Sequence, residues 1–431
     1  MTPATILAPA TLAAIIFAAT YVFISLQKIH FLNLDRPSAA VGGALLMVLC
    51  GVLTLEDAYA AINMDTLSLL LGMMVVIAYL EQAGFFQFVS AWVLKHSRTP
   101  RRMLVWLVFA SGTLSALFVN DTICLLFTPI VLGTVRRAGL NPVPYLIALV
   151  TSANIGSVMM LTGNPQNMLI GISSGLSFAT FFLVLLPIGL LCLALDAALL
   201  IGLYRAQLPV RGTLPDEPLP AMDTAVVRRI VAVLALILAA FLLPAERLVP
   251  GLSAGQKLPL FALVGGGLAI LVGRYPPRVV LQQVDWPLLL FFSGLFVVFG
   301  GLAKVGLLEE MHAAVTPLFG SSLASQLTVF STFSVAGSNL VSNVPFVLVA
   351  RHWIDVPGTF LRPELMWYVL ALTSTFAGNL TIVGSVANII VLEQSREHAR
   401  IGFFEYLRAG VPVTLATTVV GVLLLWLICG A

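Results

Sequence analysis

The sequence predicts an all-α polytopic membrane protein: two inverted repeats of five transmembrane helices plus one re-entrant hairpin each, with broken helices meeting at mid-membrane. Three observations predict it: an apolar composition, membrane-length apolar runs with polar interruptions, and a self-similarity between the two halves. Of the 431 residues, 59% are hydrophobic and 10% charged, with a mean hydropathy of +1.03. Soluble domains carry about 25% charged residues. Many runs reach the length of about 17 to 25 residues that spans a bilayer, which excludes a soluble multidomain protein. The first run, Thr5 to Leu26, has neither a basic leader nor an A-x-A-like cleavage site, so it reads as a retained helix. The net charge of +3 says little about partners. Cys50, Cys124, Cys192 and Cys429 show no C-x-x-C spacing, which argues against a disulfide framework or a thiolate metal site and for apolar packing. No metal site and no cofactor are expected.

Clear spans are Thr5 to Leu26, Ser38 to Leu55, Met64 to Leu80, Phe181 to Tyr204, Ile230 to Leu248, Leu258 to Gly273, Pro287 to Leu302 and Val411 to Ile428. Four further stretches are apolar but interrupted by Asn, Gly, Pro or Asp: Met103 to Val135, Tyr145 to Ser173, Leu323 to Ala350 and Leu365 to Leu392. Met103 to Val135 is preceded by Lys95, Arg98, Arg101 and Arg102 and followed by Arg136 and Arg137. Both its ends belong in the cytoplasm under the positive-inside rule, so a re-entrant hairpin is the simplest reading, with two ordinary helices as the alternative. Treating Leu323 to Ala350 as a hairpin from the opposite face leaves ten crossings with both termini outside. Only Arg247, Lys257, Lys304, Arg351 and Arg362, five of the 22 basic residues, then lie outside, a bias that favours a multi-pass protein of a prokaryotic inner membrane.

The chain repeats itself at an offset near 222. Asp65 matches Asp285, Gly84 matches Gly306, Asn120 matches Asn343, and Gly163 and Asn167 match Gly384 and Asn388. An odd number of crossings per copy turns the second copy upside down, a common plan of secondary transporters. Residues 1–208 form the first repeat, 209–228 a cytoplasmic linker containing the Pro-rich stretch Pro209 to Asp223, and 229–431 the second repeat.

Backbone that leaves helical geometry at membrane depth is tolerated only where it is buried in protein or lines a polar cavity. Four breaks form two pairs: Val-Asn-Asp-Thr at 119–122 with Ser-Asn-Val-Pro at 342–345, and the stretch 162–167 with Gly-Ser-Val-Ala-Asn at 384–388. Their Asn, Gly and hydroxyl residues suit a hard cation or a hydroxylated solute, and the helix N-termini beyond them add positive dipole ends. A single such break reads equally well as a packing kink; four symmetric ones do not. Asp121 is the sharpest residue. A carboxylate at mid-membrane costs about 2.5 to 3.5 kcal/mol, so it normally faces a cavity and serves function, here as a proton carrier neutral in one state and charged in another. A cap or an ion pair is its other reading, although no basic residue lies inside the hairpin. Val344 occupies the matching position, so proton coupling would be asymmetric. Asp196 divides evenly between a structural hydrogen bond and a coupling role. Asp65, Asp285 and Glu81 near span ends read as structural, and His30, His96, His312, His352 and His398 fall in loops or near interfaces.

The runs VNDTICLLFTPIVL, TSANIGSVMMLTGNPQNMLIGISSGLSF, SNVPFVLVA and GSVANIIVLE resemble the ion transporter superfamily over nearly the whole chain. Its divalent anion/sodium symporters carry Ser-Asn-Thr motifs at hairpin tips and a Gly-rich break in the following helix. By that resemblance Asn120, Asp121 and Thr122, with Ser342, Asn343 and Val344, take the tip positions. Gly163, Asn164 and Asn167, with Gly384, Ser385 and Asn388, take the breaks. Asp121 and Val344 depart from the symporter pattern and weigh against sodium coupling. The Asn-Asp pair is similar to ArsB-type arsenite efflux permeases, and GNPQN to plant silicon efflux transporters; both imply export of a small neutral oxyacid in exchange for protons. No Arg or Lys lies within the four breaks, which suits a neutral solute.

The expected function is therefore proton-coupled antiport of arsenite or a similar oxyacid such as silicic acid. Asn120, Asn164, Asn343 and Asn388 hydrogen-bond the solute and Asp121 exchanges the proton. A sodium-coupled carboxylate or sulfate importer is the alternative. A passive channel would use the same breaks, but the repeat favours alternating access. An enzyme or redox subunit would need paired His ligands or a nucleophile and base at membrane depth, and neither is visible. The partners expected are the solute, the proton and the lipid bilayer. The resemblance leaves open a homodimer and a docked cytoplasmic ATPase, and no nucleic acid is expected.

Overall fold

A computed structural model describes residues 8–26, 35–97, 99–209, 218–243 and 254–430. The described chain is helical throughout, without strands. In order come α1 (Pro9–Leu26), α2 (Arg36–Leu49), α3 (Leu55–Ala61), α4 (Met64–Gln82), α5 (Phe85–Lys95), α6 (Pro100–Leu117), α7 (Asn120–Arg137), α8 (Val143–Ser157), α9 (Pro165–Ser173) and α10 (Phe178–Leu203). There follow α11 (Thr224–Leu242), α12 (Ala254–Val272), α13 (Pro277–Val280), α14 (Trp286–Lys304), α15 (Leu307–Phe319), α16 (Leu323–Val341), α17 (Asn343–Asp355), α18 (Pro363–Ala377), α19 (Val386–Ser395) and α20 (Phe403–Cys429).

The first ten helices and the second ten run through the same succession, and local geometry recurs with it. Gly84 and Gly306 sit before α5 and α15 with the same φ of +78°, a left-handed conformation open to Gly without strain. Asn63 caps α4 by accepting from the Thr66 N–H, and Asp285 caps α14 by accepting from the Leu288 N–H. The caps therefore align Asp285 with Asn63, two residues before the Asp65 that sequence comparison favoured. Packing recurs as well: α4 lies against α12 and α2 against α14. Gly72 rests on the backbone of Ala262, and Gly294, 222 positions after Gly72, rests on the backbone of Ala40, 222 positions before Ala262. In both places the missing Cβ allows the helices to touch backbone to backbone. The pair α6 and α8 is matched by α16 and α18, and the pair α7 and α19 by α9 and α17, while α10 packs on α20.

Among the described residues six helices are long and apolar enough to cross a membrane, fewer than the eight clear spans expected. The run Ser38 to Leu55 divides because a turn with Gly51 at φ +77° ends α2 at Leu49, and a Thr54–Asp57 capping box then starts α3. At the far end of that turn the Lys304 ammonium, 2.5 Å away, and the Thr54 hydroxyl hold the Asp57 carboxyl well below the usual carboxylate range. The helix expected from Ile230 starts six residues earlier, because Asp223 caps it through the Ala225 and Val226 N–H groups at 3.1 Å. Residues 224–228, at the end of the expected linker, are thus helical. The linker centre (210–217), Arg247, His30 and the first residues of the Thr5 run lie outside the described residues.

Candidate functional site

All four sequence-predicted breaks are present. The chain turns between α6 and α7 at Phe118 and Val119, and between α16 and α17 at Ser342. Residues 158–164 separate α8 from α9, and 378–385 separate α18 from α19. Each break delivers a helix N-terminus, of α7, α9, α17 and α19, to one cavity of about 200 Å³. The unpaired N–H groups and dipoles of four helix starts make that cavity electropositive before any side chain is counted. Ser342 holds φ +77° and ψ 156°, a region nearly reserved for Gly that costs on the order of 1–3 kcal/mol for other residues.

A buried amide network stands behind the cavity. Asn120 donates from Nδ2 to Asn154 Oδ1 at 2.8 Å, and Ser385 Oγ donates to the same oxygen at 3.1 Å. Asn154 donates in turn to Asn379 Oδ1 at 2.8 Å and Asn388 Oδ1 at 3.2 Å, tying the breaks of both halves together. Asn379 donates to the Thr151 carbonyl, whose hydroxyl donates to the fully buried Asp196 at 3.0 Å. Asp196 thus serves as a structural acceptor, and its other oxygen has no partner.

The network separates residues that line the cavity from residues that brace it. Asn120, Asp121, Ser342, Asn343, Gly384 and Ser385 line it; Gly163, Asn164, Asn167 and Asn388 do not, and Thr122 lines a smaller neighbouring cavity with Asp121. Asn167 donates to the carbonyls of Ser157 and Met160 at 3.2 and 3.4 Å, and Asn388 to those of Gly378 and Thr381 at 2.7 and 2.9 Å. These acceptors again stand 221 positions apart, so the two asparagines do one job in two places: they satisfy carbonyls freed where the helices break. Asn164 caps α9 through the Asn167 N–H at 2.8 Å and donates to Ser157 Oγ at 2.8 Å. Of the four asparagines expected to hold solute, only Asn120 and Asn343 border the space where a solute would sit. The backbone N–H of Asn120 donates to the Gly163 carbonyl, so Gly163 joins the two breaks of its half.

Sequence reading missed Arg36, Gln166 and Asp285 as lining residues. Arg36 opens α2 and Asp285 caps α14, elements outside the four breaks, and both interact electrostatically with Asp121. No periodicity or motif points there; only the parallel packing of α2 on α14 brings the two starts together. Asp121 therefore lies between the influence of the Arg36 guanidinium and that of the Asp285 carboxylate. Asn120 Oδ1, buried in the cavity wall, has no hydrogen-bond partner.

An all-helical chain with membrane-length helices and a polar site made from broken helix starts defines a polytopic membrane transporter. The chain belongs to the citrate transporter family, which matches residues 21–373. It is 32% identical to an uncharacterized transporter of Mycobacterium tuberculosis strain H37Rv, over 96% of this chain and 97% of that one. It is 29% identical to the silicon efflux transporter of Oryza sativa subsp. japonica, over 95% and 96%. A transporter named arsB of Dictyostelium discoideum is 27% identical, over 95% and 91%. The crystal structure of the YdaH transporter of Alcanivorax borkumensis shares the fold, with a TM-score of 0.63 at 17% identity and 98% of each chain covered. The family consists of transporters and not enzymes.

Proposed function

We propose that the protein exports a small neutral oxyacid, arsenous acid or silicic acid, in exchange for protons. One observation carries the reading: among the described residues Arg36 is the one cation lining the central cavity, and it interacts electrostatically with Asp121, with the Asp285 carboxylate in the same wall, so no uncompensated positive side chain remains there to hold an anion. The wall instead offers Ser, Asn and Gln side chains, groups that suit a solute bearing O–H donors. Asp121 exchanges the proton, and solute and proton compete for one site. The recurrent geometry of the two halves supports an inverted relation between them, with both termini outside the cell membrane. Alternating access then follows from α6–α10 and α16–α20 moving against the remaining helices.

The family description favours a second reading, a citrate-type carboxylate, and Arg36 is the residue that would hold it. Both readings meet in one assay: arsenite, silicic acid or citrate uptake into everted vesicles with an imposed pH gradient, with and without sodium. Oxyacid uptake driven by an acid interior and indifferent to sodium supports the proposal. Citrate uptake with no oxyacid flux under any gradient overturns it.

A further inference from the structure

Two more cavities flank the central one, and their walls are related by the same offset. One, about 110 Å³, lies between α4 and α7 and is lined on the α4 side by Met74, Ile77, Ala78 and Glu81. The other, about 260 Å³, lies between α14 and α17 and is lined on the α14 side by Phe296, Phe299, Gly300 and Ala303. Each of these four stands 222 positions after its counterpart, and Leu348 of α17 stands 223 after Leu125 of α7. The cavities are equivalent places in the two halves, but they communicate differently with the site. The α4/α7 cavity shares Asp121, Asp285 and Leu288 with the central cavity; the α14/α17 cavity shares no lining residue with it. Between them stand Phe292, which lines the centre, and Phe296, which lines the α14/α17 cavity. Their ring centroids are 6.2 Å apart and both are buried.

We propose that the two flanking cavities are the inner and outer halves of one permeation path, and that Phe292 and Phe296 form the closed gate between the outer half and the binding site. The inference rests on the alternating-access reading above. The α4/α7 cavity lies at the end of α4 that leads to Lys95, Arg101 and Arg102, the cytoplasmic end by charge; the α14/α17 cavity lies toward Lys304. Two buried aromatic rings one helical turn apart on α14 present an apolar wall that excludes water and ions from a narrow passage, as hydrophobic constrictions do in channels. Beyond the gate Arg351, His352 and Asp355 ring the outer half, a polar mouth where solute leaves and protons enter. The inner half holds Glu81 and stays continuous with Asp121, so this conformation opens to the cytoplasm.

The test is sided labelling with a membrane-impermeant thiol reagent, in a full-length chain whose Cys50 and Cys429, the two cysteines not fully buried, are replaced by Ser. Ala303→Cys should label from the outer face of intact cells and Leu125→Cys from the cytoplasmic face in everted vesicles. Val344→Cys, in the central cavity, should label only from the cytoplasmic face. Adding Phe296→Ala should let the outer-face reagent reach it. Outer-face labelling of Val344→Cys with Phe296 intact, or a folded Phe296→Ala protein in which it stays closed, overturns the gate. Labelling of Ala303→Cys and Leu125→Cys from the same face overturns the path. Should Phe296→Ala not reach the membrane, Phe292→Ala reads the same gate. Labelling does not depend on which solute is carried, so a failed oxyacid assay and a failed gate are separate results.

Discussion

Truncating Asn388 to Ala separates a brace from a solute ligand. Its side chain is fully buried, donates to the Gly378 and Thr381 carbonyls at 2.7 and 2.9 Å, and accepts from Asn154 at 3.2 Å. Alanine leaves the buried Gly378 carbonyl without its donor, while the part-buried Thr381 carbonyl keeps the Gly384 N–H, so the expected loss is about 1–3 kcal/mol. Asn167 makes the corresponding bonds at 3.2 and 3.4 Å, near the limit of useful geometry, so Asn167→Ala should cost less. The assay is the melting temperature of purified protein in detergent, read beside transport normalised to folded protein. Both variants should melt below wild type, Asn388→Ala lower than Asn167→Ala, with solute affinity little changed in whatever remains folded. An Asn388→Ala protein that melts with wild type but loses solute affinity would make this amide a ligand and refute the brace.

Other outcomes follow from single contacts. Gly72→Val and Gly294→Val should both destabilise strongly, since any side chain at either position meets the backbone of the facing helix; loss of folded protein at only one would refute equivalent packing. Ser342→Gly should raise the melting temperature by relieving the positive φ, while weakening transport if the hydroxyl touches solute. Arg36→Lys should retain most proton-driven oxyacid transport, because charge is what Asp121 requires of it, whereas Arg36→Gln should lose most of it; equal activity of the two removes Arg36 from the coupling.

Much of this molecule is legible in its sequence because membrane insertion imposes one strong rule: polar interruptions in apolar runs need a reason. Asn120, Asp121, Asn343, Gly384 and Ser385 stood out on that ground, and they do line the cavity. The rule does not tell a residue that faces solute from one that satisfies the broken backbone, so Asn164, Asn167 and Asn388 looked like the others. Asp285 was legible only as a span-end residue and Arg36 not at all. Their place at the cavity depends on α2 packing parallel to α14 with the helix starts level, a relation between segments some 250 residues apart that no local pattern encodes. Asn154, the hub joining both halves, sits in an apolar helix without a break and has no amide at the matching position, where Thr375 stands.

The central claim is that Asp121 carries the exchanged proton, and the most direct measurement is made on Asp121→Asn in proteoliposomes. Arsenite or silicic acid exchange at equal pH on both sides should persist, since the amide keeps the cavity polar. Accumulation driven by an imposed pH gradient should be lost. Gradient-driven accumulation at the wild-type level in Asp121→Asn would contradict the account.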